Sequence, residues 1–125
     1  MVIAIDDSSD IPIYQQIRNQ IVLGISDGRL RQGEQLPTVR SLAAEIGINA
    51  MTVNRAYQLL KQEGYIVTER RNGARVSTLP EGSGQLSPQA EQTLERIISE
   101  AKIAGMSMES FLDICRKYFQ EGEPL

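Results

Sequence analysis

Three arginines stand within six residues near the middle of the 125-residue chain. Arg70, Arg71 and Arg75 surround an Asn-Gly pair, Asn72 and Gly73. Guanidinium groups bind phosphate oxygens through paired N–H donors, and they are attracted into narrow minor grooves of DNA. An Asn-Gly pair between two stretches of β-forming residues predicts a tight hairpin turn. Because an exposed turn gains no stability from three like charges, we expect the arginines at its tip to contact a polyanion.

A second group of polar side chains is expected on one side of a helix near residues 50–62. Four apolar residues recur there at three- and four-residue spacing and predict a buried stripe, namely Val53, Ala56, Tyr57 and Leu60. At about 100° per residue, the other side carries Met51, Asn54, Arg55, Gln58 and Gln62. Side chains of these types form hydrogen bonds and apolar contacts with base edges in the DNA major groove.

The elements before and after this helix would position it. A shorter helix precedes it, with apolar residues at Val39, Leu42, Ala43 and Ile46. We expect that helix to end at Gly47, where a left-handed backbone costs least, and Asn49 to cap the next one. Two short helices joined by a tight turn and followed by a hairpin predict a winged helix-turn-helix, which lays its second helix in the major groove.

The front of the chain predicts one more helix. Asp10 is expected to cap it and Gly28 to end it. Residues 1–10 contain a short apolar stretch to which we assign no role. The predicted fold class is therefore mostly α with a small β-hairpin, and residues 1–78 are interpreted as one DNA-binding domain.

The rear of the chain predicts a helical hairpin. Residues 79–86 are rich in Pro, Gly and Ser and predict a linker, and residues 87–125 then form two helices. Ser87 begins the first helix, Gly105 ends it, and Ser107 caps the second. Two helices joined so closely cannot bury their apolar stripes against each other alone. We expect them to pack on a second copy of the chain, through Leu94, Ile97, Ile98, Ala101, Phe111, Leu112, Cys115, Tyr118 and Phe119. The alternative is that they fold back on their own winged domain.

Residues 11–78 resemble the winged helix-turn-helix domain of the GntR family of bacterial transcription regulators. The motifs that carry the resemblance are PIYQQI at 12–17, GxLxxGxxLPxVRxLA at 28–43, TVNRAYQLL at 52–60 and EGYI at 63–66. Only 47 residues follow Thr78. The chain therefore resembles the YtrA subfamily, whose members lack the long ligand-binding domain of most relatives.

The resemblance implies roles for particular residues. It places Arg40 near the DNA backbone and major groove, and Thr52 on a phosphate. It places Asn54 and Arg55 where base-reading and backbone-holding side chains are usual, and Gly73 in the minor groove.

The chain departs from the family pattern at Ala50 and Met51, where relatives often carry Pro or Arg, then Asn or Thr. We therefore expect Met51 to read a thymine methyl group by apolar contact. The full predicted DNA-binding set is Thr38, Arg40, Asn49, Ala50, Met51, Thr52, Asn54, Arg55, Arg70, Arg71, Asn72, Gly73 and Arg75. Taken alone, Arg40 and Arg55 also fit solvated helix surfaces.

The charge of the chain is unevenly distributed. The net charge is −3 overall, but residues 11–78 carry nine Lys and Arg against five Asp and Glu, a net charge of +4. Residues 79–125 carry four against eight, a net charge of −4. A basic front half can present one face to DNA, because salt screens charges more than about 10 Å apart.

Other classes of function find little support in the residues. The chain has no histidine and one cysteine, Cys115, and it shows no zinc, P-loop or dinucleotide-binding motif. We expect no catalytic site, no metal and no cofactor. The chain also lacks an apolar run of membrane-spanning length and a signal-peptide pattern, which favours the cytoplasm.

The kind of partner, the direction and targets of regulation, and the effector stay open at this point. The alternative to operator binding is a winged-helix module that binds protein or RNA. By analogy with the subfamily, we expect a repressor that acts on its own operon and on transporter genes. The residues indicate no effector, and the tail is expected to be too small for a ligand cleft of about 300 Å³ or more.

Overall fold

The structure, a computed structural model, describes residues 1–71, 73–78 and 84–120. The predicted contact residue Asn72 and residues 79–83 of the predicted linker lie outside the described residues. The chain divides into two compact units, Met1–Leu79 and Pro80–Leu125.

The first unit has three helices followed by a hairpin. The helices are α1 (Ile13–Ser26), α2 (Val39–Ile46) and α3 (Ala50–Gln62), and the strands are β1 (Ile66–Glu69) and β2 (Gly73–Val76). The strands are antiparallel, with Ile66 opposite Val76 and Glu69 opposite Gly73. The predicted fold class, mostly α with a small hairpin, is confirmed.

The core of this unit lies where α1 and α2 pack against α3 and the hairpin covers one end. Every member of the predicted α3 stripe is buried. The other large buried side chains come from the remaining elements and the loops beside them, and include Ile17, Ile21, Leu30, Leu36, Leu42, Ile66 and Val76. Burial of one stripe per helix leaves the opposite side of α3 in solvent.

The turn between α2 and α3 has the predicted chemistry. Gly47 has a φ of 70° and follows the last residue of α2, so its left-handed backbone ends that helix. Asn49 caps α3 because its side-chain Oδ1 accepts a hydrogen bond of 2.7 Å from the backbone N–H of Met51. Thr38 caps α2 by accepting from the N–H of Ser41 at 3.0 Å.

The predicted start of α1 is wrong. Asp10 does not cap the helix, whose N-cap position is Pro12 and makes no side-chain hydrogen bond. The buried Gln16 instead accepts from the N–H of Asp6 at 2.9 Å and donates to the carbonyls of Asp6 and Ile11. These bonds hold residues 1–11 along α1 in a conformation that is neither strand nor helix.

The second unit consists of α4 (Pro88–Ile103) and α5 (Met108–Gln120). Ser87 caps α4 by accepting from the N–H of Ala90, and Gly105, with a φ of 79°, follows its end. Ser107 caps α5 by accepting from the N–H of Ser110. The predicted caps of both helices are thus confirmed. Among the described residues of the two helices none is fully buried, and the apolar residues Ala101, Phe111, Leu112 and Cys115 are half-buried.

Candidate nucleic-acid interface

The solvent side of α3 carries the side chains that were predicted to be exposed, and three of them, Met51, Asn54 and Arg55, were predicted to contact DNA. Met51, Asn54, Arg55, Gln58 and Gln62 are all exposed, and Met51 exposes 79% of its surface. A methionine this exposed contributes little to the core of its own domain. Met51 lies in the first turn of α3, and in helix-turn-helix proteins the N-terminal residues of the second helix contact base edges.

Arg55 is held against a residue of α1. Its Cζ atom lies 4.0 Å from the centre of the Tyr14 ring, within the range of a cation–π contact. The side chain of Arg55 forms no ion pair or hydrogen bond within residues 1–71, 73–78 and 84–120. No carboxylate in the described part of the chain therefore neutralises its positive charge.

Arg18 shows the opposite arrangement. It forms two hydrogen bonds with Glu63, of 2.9 and 2.7 Å, and lies 5.5 Å from the centre of the Tyr65 ring. The hydrogen bonds with Glu63 raise the pKa of Arg18 above its usual value. This pair connects α1 to the end of α3, and Glu63 neutralises the positive charge of Arg18.

The start of α2 and the turn before α3 supply further polar groups. Arg40 is exposed on the first turn of α2, and Thr38 and Asn49 are exposed at the two N-caps. Each cap uses its side-chain oxygen as acceptor, so the Thr38 hydroxyl and the Asn49 amide keep donors for a phosphate. Ala50 is exposed beside them and Thr52 is half-buried.

The hairpin of β1 and β2, called the wing below, places two of its arginines in the turn and the third in a strand. Arg70 and Arg71 are exposed in the turn between the strands. The prediction that Arg75 joins them at the tip is wrong, because Arg75 lies opposite Val67 in the strand ladder and is half-buried. Its Nη1 donates a hydrogen bond of 3.1 Å to the carbonyl of Gly33, and its Nε lies 3.8 Å from a carboxylate oxygen of Glu69.

The loop before α2 explains the position of Arg75. Residues 33–36 run beside β2, with a bridge between Gln35 and Arg75 and a hydrogen bond of 2.8 Å from the Leu36 N–H to the Ala74 carbonyl. Arg75 thus crosses to a chain segment 42 residues earlier. No local pattern in the sequence indicates such a pairing.

Gly73 keeps the conformation that suits a wing glycine. It is exposed, has a φ of 67°, and has open space where a Cβ would stand. Its backbone is therefore free to approach a groove closely, and a side chain here would be strained.

Two tyrosines at this site were not predicted as functional residues. Tyr14, within the PIYQQI motif, touches Arg55 as described, and no spacing rule links residues on different helices. Tyr57 is buried, as expected for the α3 stripe, but its hydroxyl also donates a hydrogen bond of 2.7 Å to the carbonyl of Pro37. Burial raises the pKa of Tyr57 from 10.0 to about 12.

An open apolar groove of about 590 Å³ lies between α4 and α5. Six of the residues predicted to mediate dimerisation line it, namely Leu94, Ile98, Ala101, Phe111, Leu112 and Cys115. The other three, Ile97, Tyr118 and Phe119, are exposed and do not line it. The expectation that the tail is too small for a cleft of ligand size is wrong, because the two helices leave this space between them.

The described part of the chain contains no cluster of His, Cys, Asp and Glu side chains that would hold a metal ion. It also contains no helix that is long and apolar enough to cross a membrane.

Comparison with known proteins decides the family. Residues 13–76, half of the chain, match the family described as "Bacterial regulatory proteins, gntR family". The chain belongs to the GntR family. This GntR-family chain is 38% identical over 112 residues to the transcriptional repressor YtrA of Bacillus subtilis. The matched region covers 86% of this chain and 84% of the relative. It is therefore a transcription regulator with a DNA-binding domain and not an enzyme.

Two solved structures match nearly the whole chain and have the same architecture. A transcriptional antiterminator from Listeria monocytogenes EGD-e superposes with a TM-score of 0.87 at 26% identity, covering all of this GntR-family chain and 95% of that one. YtrA from Sulfolobus acidocaldarius, a GntR-family transcription factor, superposes with a TM-score of 0.60 at 34% identity, covering 95% and 97%. Both superpositions include the helices after the wing, because they cover nearly the whole chain.

Proposed function

We propose that this regulator binds a palindromic DNA operator as a homodimer and represses transcription. The observation that carries the proposal is the division of α3 into two sides. Val53, Ala56, Tyr57 and Leu60 are buried, whereas Met51, Asn54, Arg55, Gln58 and Gln62 all face solvent. A helix fixed by one side to its domain presents the other to the major groove as a rigid surface.

Duplex DNA fits this surface by charge. Residues 11–78 have a net charge of +4, and the exposed cations Arg40, Arg55, Arg70 and Arg71 belong to this segment. In the proposed complex, Met51, Asn54 and Arg55 contact base edges or the adjoining phosphates. Arg70, Arg71 and the backbone of Gly73 reach the phosphates or the minor groove.

The second unit supports assembly into a homodimer. Its helices bury none of their described residues, and the groove between them is lined almost entirely by apolar side chains. A second copy of the same hairpin would cover both grooves at once, as a two-fold interface requires. A two-fold protein reads two half-sites about 34 Å apart or a multiple of that distance, which makes the operator palindromic.

The direction and place of regulation follow from the relatives. Repression is proposed because the Bacillus subtilis relative is named a repressor. The proposed targets of this chain are the operon that encodes it and transporter genes, because the chain resembles the YtrA subfamily. The cytoplasm is the proposed location because the regulator must meet the chromosome.

Selection of bound sequences from random duplex DNA tests the proposal. We expect a palindromic consensus whose binding constant falls steeply with salt, since phosphate contacts release counterions. Single-stranded RNA and shuffled duplexes of equal length serve as competitors. Recovery of no consensus, or equal retention on single-stranded RNA, would show that the chain is not an operator-binding protein.

A further inference from the structure

Tyr14 lies outside the helix-turn-helix but contacts Arg55, an exposed cation of that motif. Tyr14 is the second residue of α1 and is half-buried, and Arg55 is the sixth residue of α3. The 4.0 Å between the Arg55 Cζ and the Tyr14 ring centre is well inside the roughly 6 Å limit of a cation–π contact. The ring therefore restricts a side chain that would otherwise sample many rotamers.

The two arginines that meet tyrosine rings differ in how their charge is used. Arg18 lies farther from its ring, at 5.5 Å, and is bound by Glu63 through two short hydrogen bonds. Arg55 lies closer to its ring and has no carboxylate partner among the described residues. A contact with a ring face leaves the in-plane N–H donors of a guanidinium available, whereas a contact with a carboxylate occupies them.

We propose that Tyr14 is a positioning residue for DNA recognition, which holds the Arg55 guanidinium in place for a phosphate or base. The inference rests on the proposed operator binding and adds a residue of α1 to it. Holding Arg55 before DNA arrives means that less side-chain freedom is lost on binding, so affinity rises without any contact between Tyr14 and DNA.

A double-mutant cycle on the full chain tests the inference, with the duplex selected by the wild-type protein as probe. We expect Tyr14→Leu to weaken binding about threefold to tenfold, within the cost of immobilising one flexible side chain at an interface. Tyr14→Phe keeps the ring and should bind as wild type. Arg55→Gln should weaken binding, and adding Tyr14→Leu to it should then cost little more. Arg18→Gln is the matched control, because its charge is already paired, and should leave affinity unchanged.

The outcomes separate the possible roles of Tyr14. Equal losses of affinity for Tyr14→Phe and Tyr14→Leu would assign the effect to the hydroxyl group. Additive losses of affinity in the double variant would show that Tyr14 and Arg55 act independently. Either result overturns the inference. Thermal unfolding verifies that the variants fold, and Tyr14→Met replaces Tyr14→Leu if that variant does not. If Arg55→Gln weakens binding but Tyr14→Leu does not, the positioning role fails and operator binding stands. If the wild-type chain selects no duplex, operator binding itself fails.

Discussion

The hydroxyl group of Tyr57, on α3, donates a hydrogen bond of 2.7 Å to the carbonyl oxygen of Pro37, in the loop before α2. This bond joins the recognition helix to the segment that leads into the first helix of the helix-turn-helix. It also satisfies a buried hydroxyl, since Tyr57 is 3% exposed. The angle between the two helices thus depends on a polar contact as well as on apolar packing.

Removing this hydroxyl should destabilise the winged domain. We expect Tyr57→Phe to lower the free energy of unfolding by about 0.5–1.5 kcal/mol, because the ring stays packed while the Pro37 carbonyl loses its donor. Chemical denaturation at pH 7 measures the change. Unaltered stability would mean that water replaces the hydroxyl at no cost.

The stability advantage of the wild-type chain over Tyr57→Phe should depend on pH. The folded-state pKa of Tyr57 is raised to about 12, above the 10.0 expected when unfolded, because burial opposes the phenolate. The advantage is therefore complete below pH 10 and is lost as the pH rises from 10 toward 12. Denaturation curves of both proteins across this interval check the prediction, because other groups titrate equally in each. A difference that stays constant with pH would contradict it.

The arginines of the wing should separate into two kinds. Arg70→Ala and Arg71→Ala should each lower DNA affinity and reduce the salt slope by about 0.9 per lost phosphate contact, without changing stability. Arg75→Ala should instead lower the free energy of unfolding by about 1 kcal/mol, because its hydrogen bond to Gly33 is lost. Salt titrations of binding and denaturation of the three variants distinguish these effects. A full salt-slope change from Arg75→Ala with no loss of stability would reverse the assignment.

Met51 should respond to thymine methyl groups in the operator. Replacing each thymine of a half-site by uracil removes one methyl group at a time. We expect one such replacement to weaken wild-type binding about fourfold, the value of one buried methyl group. The Met51→Ala variant should bind this uracil duplex and the thymine duplex with equal affinity. If no uracil position affects the wild-type protein, Met51 does not read a methyl group.

The groove between α4 and α5 should be the dimer interface. Ile98→Glu places a charge in the groove, which a second copy cannot cover without a large desolvation cost. We expect this variant to sediment as a monomer and to lose affinity for a palindromic duplex far more than for a single half-site. Ile103→Glu is the control, because Ile103 lies on the same helix, is 88% exposed and does not line the groove. A dimeric Ile98→Glu protein would place the interface elsewhere.

Local sequence patterns predicted the parts of the fold that depend on neighbouring residues. The buried stripe of α3, the left-handed turn at Gly47 and the caps at Asn49, Ser87 and Ser107 all follow from spacings of four residues or fewer. Each involves one backbone segment, so the residue types alone determine which groups meet.

Contacts between distant segments were not predictable in the same way. The start of α1 was predicted at Asp10, but the amide of Gln16 holds the backbone of Asp6 and Ile11 instead. Arg75 was predicted at the wing tip because the pairing of β2 with residues 33–36 has no local signature. The Tyr14–Arg55 contact likewise requires the packing of α1 on α3, which becomes visible only in three dimensions.

The first eleven residues have no regular structure, yet their exchange behaviour should resemble that of a helix. The amide hydrogens of Ala4 and Asp6 are bound by the side-chain oxygens of Gln20 and Gln16, each at 2.9 Å. Such amides exchange with solvent only when the segment detaches from α1, and the burial of Gln16 opposes detachment. We therefore expect the amides of Ala4 and Asp6 to exchange more slowly than amides without a hydrogen bond in the same, mostly exposed segment.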